Sequence, residues 1–161
     1  MSIYKRIILF ALVLLSTYFI NGQQNNYGNE WINYNQKYFH FPILETGIHR
    51  IYYEEINEAV SNLGIDINQI DNDEYQIFGK ENEVSLLIKD LNNNNVLDSN
   101  EYIEFYAEKN DGWLDKEVYD SVQHMPDSYF SLFNDTIRYY LTWSNNIFNK
   151  RTSIESDTNY L

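Results

Sequence analysis

The chain is 161 residues long and contains no cysteine, which excludes disulfide stapling of its loops and any thiolate nucleophile within it. Its 24 acidic residues against 11 basic ones give a formal charge of −13 at pH 7. Such a surface repels phosphate backbones and anionic lipid headgroups, which argues against nucleic-acid and peripheral membrane binding and makes cations the natural small partners.

The N-terminus has the three parts of a secretory signal: the basic Lys5 and Arg6, an apolar run from Ile7 to Ile20, and a small polar junction at Asn21-Gly22-Gln23. The run falls short of the roughly 20 apolar residues that a membrane-spanning helix needs, and no stop-transfer segment follows it. The expectation is a signal peptide over 1–22, cleaved after Gly22, with an uncleaved N-terminal anchor as the alternative. The mature protein is then exported to the periplasm, the outer-membrane surface or the medium, with no stable membrane span. What remains is enough chain for one domain with a sizeable core.

Residues 23–37 are amide-rich and lack periodicity, which predicts a flexible polar lead-in, and the β-rich domain is expected over 38–143. YFHFPIL (38–44) and GIHRIYY (47–53) are branched and aromatic runs with strand character, and Gly47 gives the turn between them its freedom. In Glu54–Leu63 the residues Ile56, Ala59, Val60 and Leu63 recur at helical spacing, with acids in the first turn and Gly64 just past the end, so a short helix is expected there. EYQIFGK and EVSLLIK predict a hairpin around Lys80 to Asn82, YIEFYAE (102–108) a further strand, and IRYYLTW (137–143) the last one. Residues 144–161 form a polar tail, expected to be the point where a longer precursor is truncated. Together these elements predict a mainly β fold, an antiparallel β-sandwich-like or compact α+β unit with one short helix.

One segment carries chemistry. Asp90 to Glu101 (DLNNNNVLDSNE) follows the twelve-residue calcium loop, which sets oxygen ligands at fixed steps around a tight turn. Asp90 stands at position one, Asn92 at three, Asn94 at five, the Val96 carbonyl at seven, Asp98 at nine and Glu101, the bidentate carboxylate, at twelve. Leu97 fills the apolar eighth position. Asn95 replaces the usual glycine, and asparagine is the side-chain-bearing residue that best tolerates the left-handed backbone needed there. Because the flanks read as strands, the expected cofactor is a calcium ion clipping a β turn, with affinity in the range of about 10⁻⁴ to 10⁻³ M. The alternative is an asparagine-rich solvated turn without an ion. A second stretch, Glu108 to Asp115, fails the same pattern because Ala107 and Val118 fall on its first and last ligand positions.

Catalytic signatures are missing from the sequence. His40, His49 and His124 are isolated, and neither a zinc HExxH nor a G-x-S-x-G elbow occurs. The strings GIHRIYYEEI, YQIFGKENEV, EYIEFYAEKNDGWLDKEVYD and SLFNDTIRYYLTW resemble the N-terminal, non-catalytic region of gingipain-type cysteine peptidases of the Bacteroidetes, in the subgroup of the type IX secretion system sortase. The resemblance spans about residues 38–143. It implies a β-rich accessory segment that precedes a caspase-like peptidase domain, and hence a partner in that downstream domain or its equivalent. The family's Cys-His pair has no counterpart here, so no catalytic residue carries over. A free-standing cell-surface binding or adhesion module is the rival expectation.

Overall fold

The computed structural model describes residues 28–127, 129–144 and 149–153. The predicted signal peptide, the first part of the lead-in and the end of the polar tail lie outside the described residues. The chain divides into Met1–Glu30 and Trp31–Leu161. Of the first unit only residues 28–30 are described, where the Gly28 N–H donates to the Glu30 carboxylate at 3.1 Å. Everything that follows concerns the second unit.

Among the described residues, branched and aromatic runs become seven strands: β1 (Phe39–Ile43), β2 (Gly47–Tyr52), β3 (Tyr75–Gly79), β4 (Asn82–Val84), β5 (Leu86–Lys89), β6 (Tyr102–Ala107) and β7 (Ile137–Trp143), with one α-helix, α1 (Tyr53–Ser61), after β2. They form two antiparallel sheets, ordered β1-β7-β3-β4 and β2-β6-β5. The fold is therefore mainly β. Ile43, Ile77, Tyr139 and Leu141 of the first sheet share one buried cluster with Leu86, Ile103 and Phe105 of the second, and α1 adds Ile56 and Val60. Burying each such aliphatic side chain is worth about 1.5–3 kcal/mol, so this shared interior holds the sheets together.

Two details differ from the sequence reading. α1 ends at Ser61, because the Leu63 and Gly64 N–H groups already turn back to Val60 and Ser61 and Gly64 takes φ 69°. Leu63 therefore points to solvent, and so does Ala59, which leaves Ile56 and Val60 as the buried stripe. The helix start is tied down by the Glu55 carboxylate, which accepts the Tyr52 N–H at 2.8 Å.

The expected hairpin forms only in part. Gly79 pairs with Asn82 across Lys80-Glu81, whose φ values of 48° and 64° suit a tight two-residue turn. After β4 the single residue Ser85 carries the chain from one sheet to the other, and Leu86–Lys89 pairs with β6 instead. Leu86 is fully buried, which gives the crossover its driving force.

Trp31 lies on the outer face of the first sheet, with ring centroids 5.2 Å from both Phe78 and Tyr140. Gln36 adds a hydrogen bond from Nε2 to the Trp143 carbonyl at 3.0 Å. These contacts extend the folded part upstream of Tyr38.

The Tyr139 ring occupies the space a Cβ on Gly79 would need. Gly79→Ala should therefore destabilise the domain by about 1–3 kcal/mol through overpacking, a loss of several degrees in Tm. Thermal melts followed by circular dichroism measure it, and an unchanged Tm would show that Tyr139 does not depend on that gap.

Candidate calcium loop

The loop connects β5 to β6, two neighbouring antiparallel strands, and its shape comes from side chains that hold its own backbone. The Asp90 carboxylate accepts the Asn93 N–H at 2.6 Å on Oδ1 and the Asn95 N–H at 2.9 Å on Oδ2. Asn92 Oδ1 accepts the Asn94 N–H, and Asn94 Oδ1 accepts the Val96 N–H, each two residues on. Such contacts are the usual way a short amide side chain closes a turn on itself. Asn95 sits at φ 62°, in the left-handed region that its place in the calcium-loop pattern requires.

Asp98 and Glu101 close the second half. Asp98 Oδ2 accepts the side-chain amides of Asn92 at 2.9 Å and Asn94 at 3.0 Å, so three predicted ligand side chains meet at one point. Glu101 is only 1% exposed, and its carboxylate accepts the Leu91 N–H at 2.6 Å and the Asp98 N–H at 3.0 Å. Among the described residues no cationic side chain forms an ion pair with it. Val96 forms an isolated antiparallel bridge with Asp71. Leu97 is fully buried and anchors the loop to the core.

Two residues that the sequence reading did not single out as site residues, Asn72 and Glu54, also reach the loop. The Asn72 N–H donates to the Asn95 carbonyl at 2.9 Å, and Asn72 Nδ2 donates to Asp90 Oδ2 at 3.2 Å. Glu54, in the first turn of α1, accepts the Ser99 hydroxyl at 3.1 Å and the Asn100 N–H at 3.2 Å. Asn72 lies 18 residues before Asp90, outside any local motif, so no spacing rule could have found it.

The donor set is chemically suited to a hard cation. Asp90, Asn92, Asn94, Asp98 and Glu101 offer side-chain oxygens and Val96 a carbonyl, which is the ligand chemistry calcium takes. Carbonyl and carboxylate oxygens that accept one hydrogen bond keep further lone pairs. Among the described residues no group of three or more His, Cys, Asp or Glu side chains stands together as a metal cluster. That pattern suits transition metals better than a loop in which half of the donors are amide or peptide carbonyls. Where calcium binds, these residues would hold it, and the ion would supply the positive charge that the loop itself lacks.

The remaining candidates stay apart from this loop. His49 Nε2 lies 2.9 Å from the Glu45 carbonyl, and His40 rests on the edge of Tyr140. The stretch after β6 is an ordinary turn, with Gly112 at φ 78° and Lys80 Nζ reaching both Glu108 and Asp111, while Trp113 packs on the core. The chain has no cysteine and hence no Cys-His pair. Among the described residues no helix is long and apolar enough to cross a membrane. The chain matches no family model, no curated protein and no solved structure.

Partial burial alone would raise the Asp90 carboxyl, but the backbone N–H groups of Asn95, Asn93, Asn94 and Asn92 outweigh it and hold the group below the usual range. Glu54 is lowered as well, by its own backbone N–H and that of Asn100, against a smaller opposing effect of burial and with help from Ser99. A carboxyl whose folded pKa is depressed contributes stability above its unfolded pKa and loses it as pH falls through the folded one. In chelator, Tm should therefore be flat above about pH 5 and fall below about pH 4, and Asp90→Asn should flatten part of that slope. Melts between neutral and strongly acidic pH test this. A Tm independent of pH throughout would contradict the hydrogen bonding described for Asp90.

Proposed function

We propose that the chain is an exported, non-catalytic accessory domain whose Asp90–Glu101 loop takes calcium, and that it supports or shields a gingipain-like peptidase domain of the type IX sortase kind. The observation that carries the calcium part is the backbone of the loop. Asn95 is left-handed, and Asp90 accepts its N–H across the turn. The accessory role draws on the sequence resemblance and on exposed apolar side chains. In the connection between β6 and β7, Leu114, Val118, Tyr129, Phe130, Leu132 and Phe133 are each more than half exposed. Such a concentration suits a surface that meets a neighbouring domain. The reading of the chain as a non-enzyme rests on the missing thiolate, with no metal-hydrolase or serine-hydrolase pattern in its place.

A specific observation also favours the adhesion reading. Tyr102 directly follows the loop and meets Tyr52 edge-on at 5.6 Å, with the Arg50 guanidinium 4.6 Å above its ring. Tyr106 and Ile48 continue the outer face of β6 and β2, and both are exposed. An aromatic row beside this loop is a contact face of the kind a ligand covers, and a partner that covers it would move the assignment.

Calcium bound only by the folded state stabilises by RT ln(1 + [L]/Kd), about 1.4 kcal/mol at tenfold excess and thus several degrees in Tm. Glu101→Gln would disturb the apo loop too, because that carboxylate holds two backbone N–H groups. Asp98→Asn is the cleaner variant, since an amide oxygen can still accept from Asn92 and Asn94. It should leave the Tm in chelator nearly unchanged and remove most of the rise seen in millimolar calcium. A wild-type Tm that is equal in chelator and in millimolar calcium would rule the ion out.

The partner is tested separately. A pull-down of a gingipain-like catalytic domain from the same organism should retain this chain, and the chain alone should leave a fluorogenic peptide panel uncleaved. Release of fluorophore by the purified chain would overturn the non-catalytic reading. No retention, together with binding of a ligand to the Tyr102 face, would establish the adhesion module instead.

A further inference from the structure

Asn72 occupies an unusual place. It is buried, with 6% of its surface exposed, and it belongs to the short turn Asn72–Glu74 that leads into β3. On one side its N–H and side-chain amide donate to the Asn95 carbonyl and to Asp90 Oδ2 of the loop. On the other side its carbonyl accepts from the Arg151 guanidinium at 2.8 Å.

Arg151 belongs to a segment, Asn149–Ser153, that lies along the free edge of β5. It makes a parallel bridge to Leu86, in which the Leu86 N–H donates to Lys150 and the Thr152 N–H donates to Leu86 at 2.8 Å. Asn149 is buried and donates from Nδ2 to the carbonyls of Asp73 and Glu74 in the same turn. The turn thus has the loop on one side and the segment on the other, and Asn72 touches both.

We propose that Asn72 is a positioning residue through which calcium in the loop governs how firmly Asn149–Ser153 docks on β5. The inference rests on the calcium reading above. An ion held by Asp90 and its neighbours fixes the Asp90 carboxylate and the Asn95 carbonyl, the two groups that hold Asn72. Fixing Asn72 in turn aims its carbonyl at Arg151. Without the ion the loop relaxes, the carbonyl loses its alignment, and the segment opens more often. An open segment bares the Leu86 N–H and C=O on a sheet edge, which is where another extended chain can pair. Calcium would thereby decide whether that edge is closed.

Binding linkage makes the effect reciprocal: whatever factor calcium adds to docking, docking adds to calcium affinity. In the full chain, NMR amide exchange should show the Thr152 N–H exchanging about fivefold or more slowly in calcium than in chelator, a factor at the low end of measured couplings. The amides of β1, remote from the loop in sequence, serve as the reference for global stabilisation. Arg151→Ala should remove the calcium dependence at Thr152 and weaken calcium Kd by the same factor in titration calorimetry. Asn72→Ala removes the Nδ2 bond to Asp90 and keeps the backbone bonds to Asn95 and Arg151, so it should reduce both effects in part. If Asn72→Ala does not fold, Arg151→Ala decides the matter alone.

Calcium binding in the wild type with Thr152 exchange changing no more than the reference overturns the coupling and leaves the calcium loop standing. An unchanged Kd in Arg151→Ala does the same. Absence of any calcium binding by calorimetry overturns the loop reading and this inference together.

Discussion

A carboxylate taken out of water has to be met by donors, and at Glu101 that requirement shapes the region around it. The side chain is 1% exposed, and its two oxygens are held by the Leu91 and Asp98 N–H groups, from opposite ends of the same loop. Its own carbonyl accepts the Tyr53 N–H at 3.0 Å, which ties the loop to the start of α1. One buried acid thus fixes the entry of the loop, its exit and the helix beside it. Losing either N–H would strand a buried charge, a larger cost than losing an ordinary surface contact. With no cationic side chain paired to it among the described residues, the electrostatic balance of the loop is open to a cation from solution.

The same economy governs the two sheets. With no cysteine, the chain cannot cross-link its layers, and the join is made by side chains that reach between them. Phe105 of β6 lies 5.7 Å from Phe41 of β1 and 6.3 Å from Tyr139 of β7. Tyr139 in turn covers Gly79 and receives the Glu108 N–H on its hydroxyl at 3.0 Å. An aromatic with a polar tip can pack on one layer and hydrogen-bond the other, so Tyr139 spans both. The crossover at Ser85 contributes by placing β4 and β5 in different sheets one residue apart, which leaves little slack between the layers.

The strands were legible because their residues are branched and aromatic over short runs, and the helix because Ile56 and Val60 fall one turn apart. Asn95 was legible as the left-handed residue, since only its place in a ligand pattern and the tolerance of asparagine were needed. What could not be read were features set by tertiary contact. EVSLLIK is a continuous β run in sequence, yet Leu86 finds a better burial site in the second sheet than beside β3. Trp31 stands in an amide-rich stretch without periodicity, and its ring contacts include Phe78 and Tyr140, which are distant in sequence. Asn72 and Arg151 carry no local signal at all, because their contacts reach 18 and 79 residues along the chain.

These long-range polar contacts also explain how a cysteine-free fold secures its last described segment. An apolar strand would be held by burial, but Asn149–Ser153 is polar, and it is held by directed bonds: the buried Asn149 amide, the Arg151 guanidinium and the two backbone bonds to Leu86. Hydrogen bonds contribute only about 0.5–1.5 kcal/mol each, net of their exchange with water. Together the bonds named here contribute on the order of a few kcal/mol, so the segment is held by several small terms and not by one large one. The residue that touches both this segment and the acidic loop is the buried Asn72.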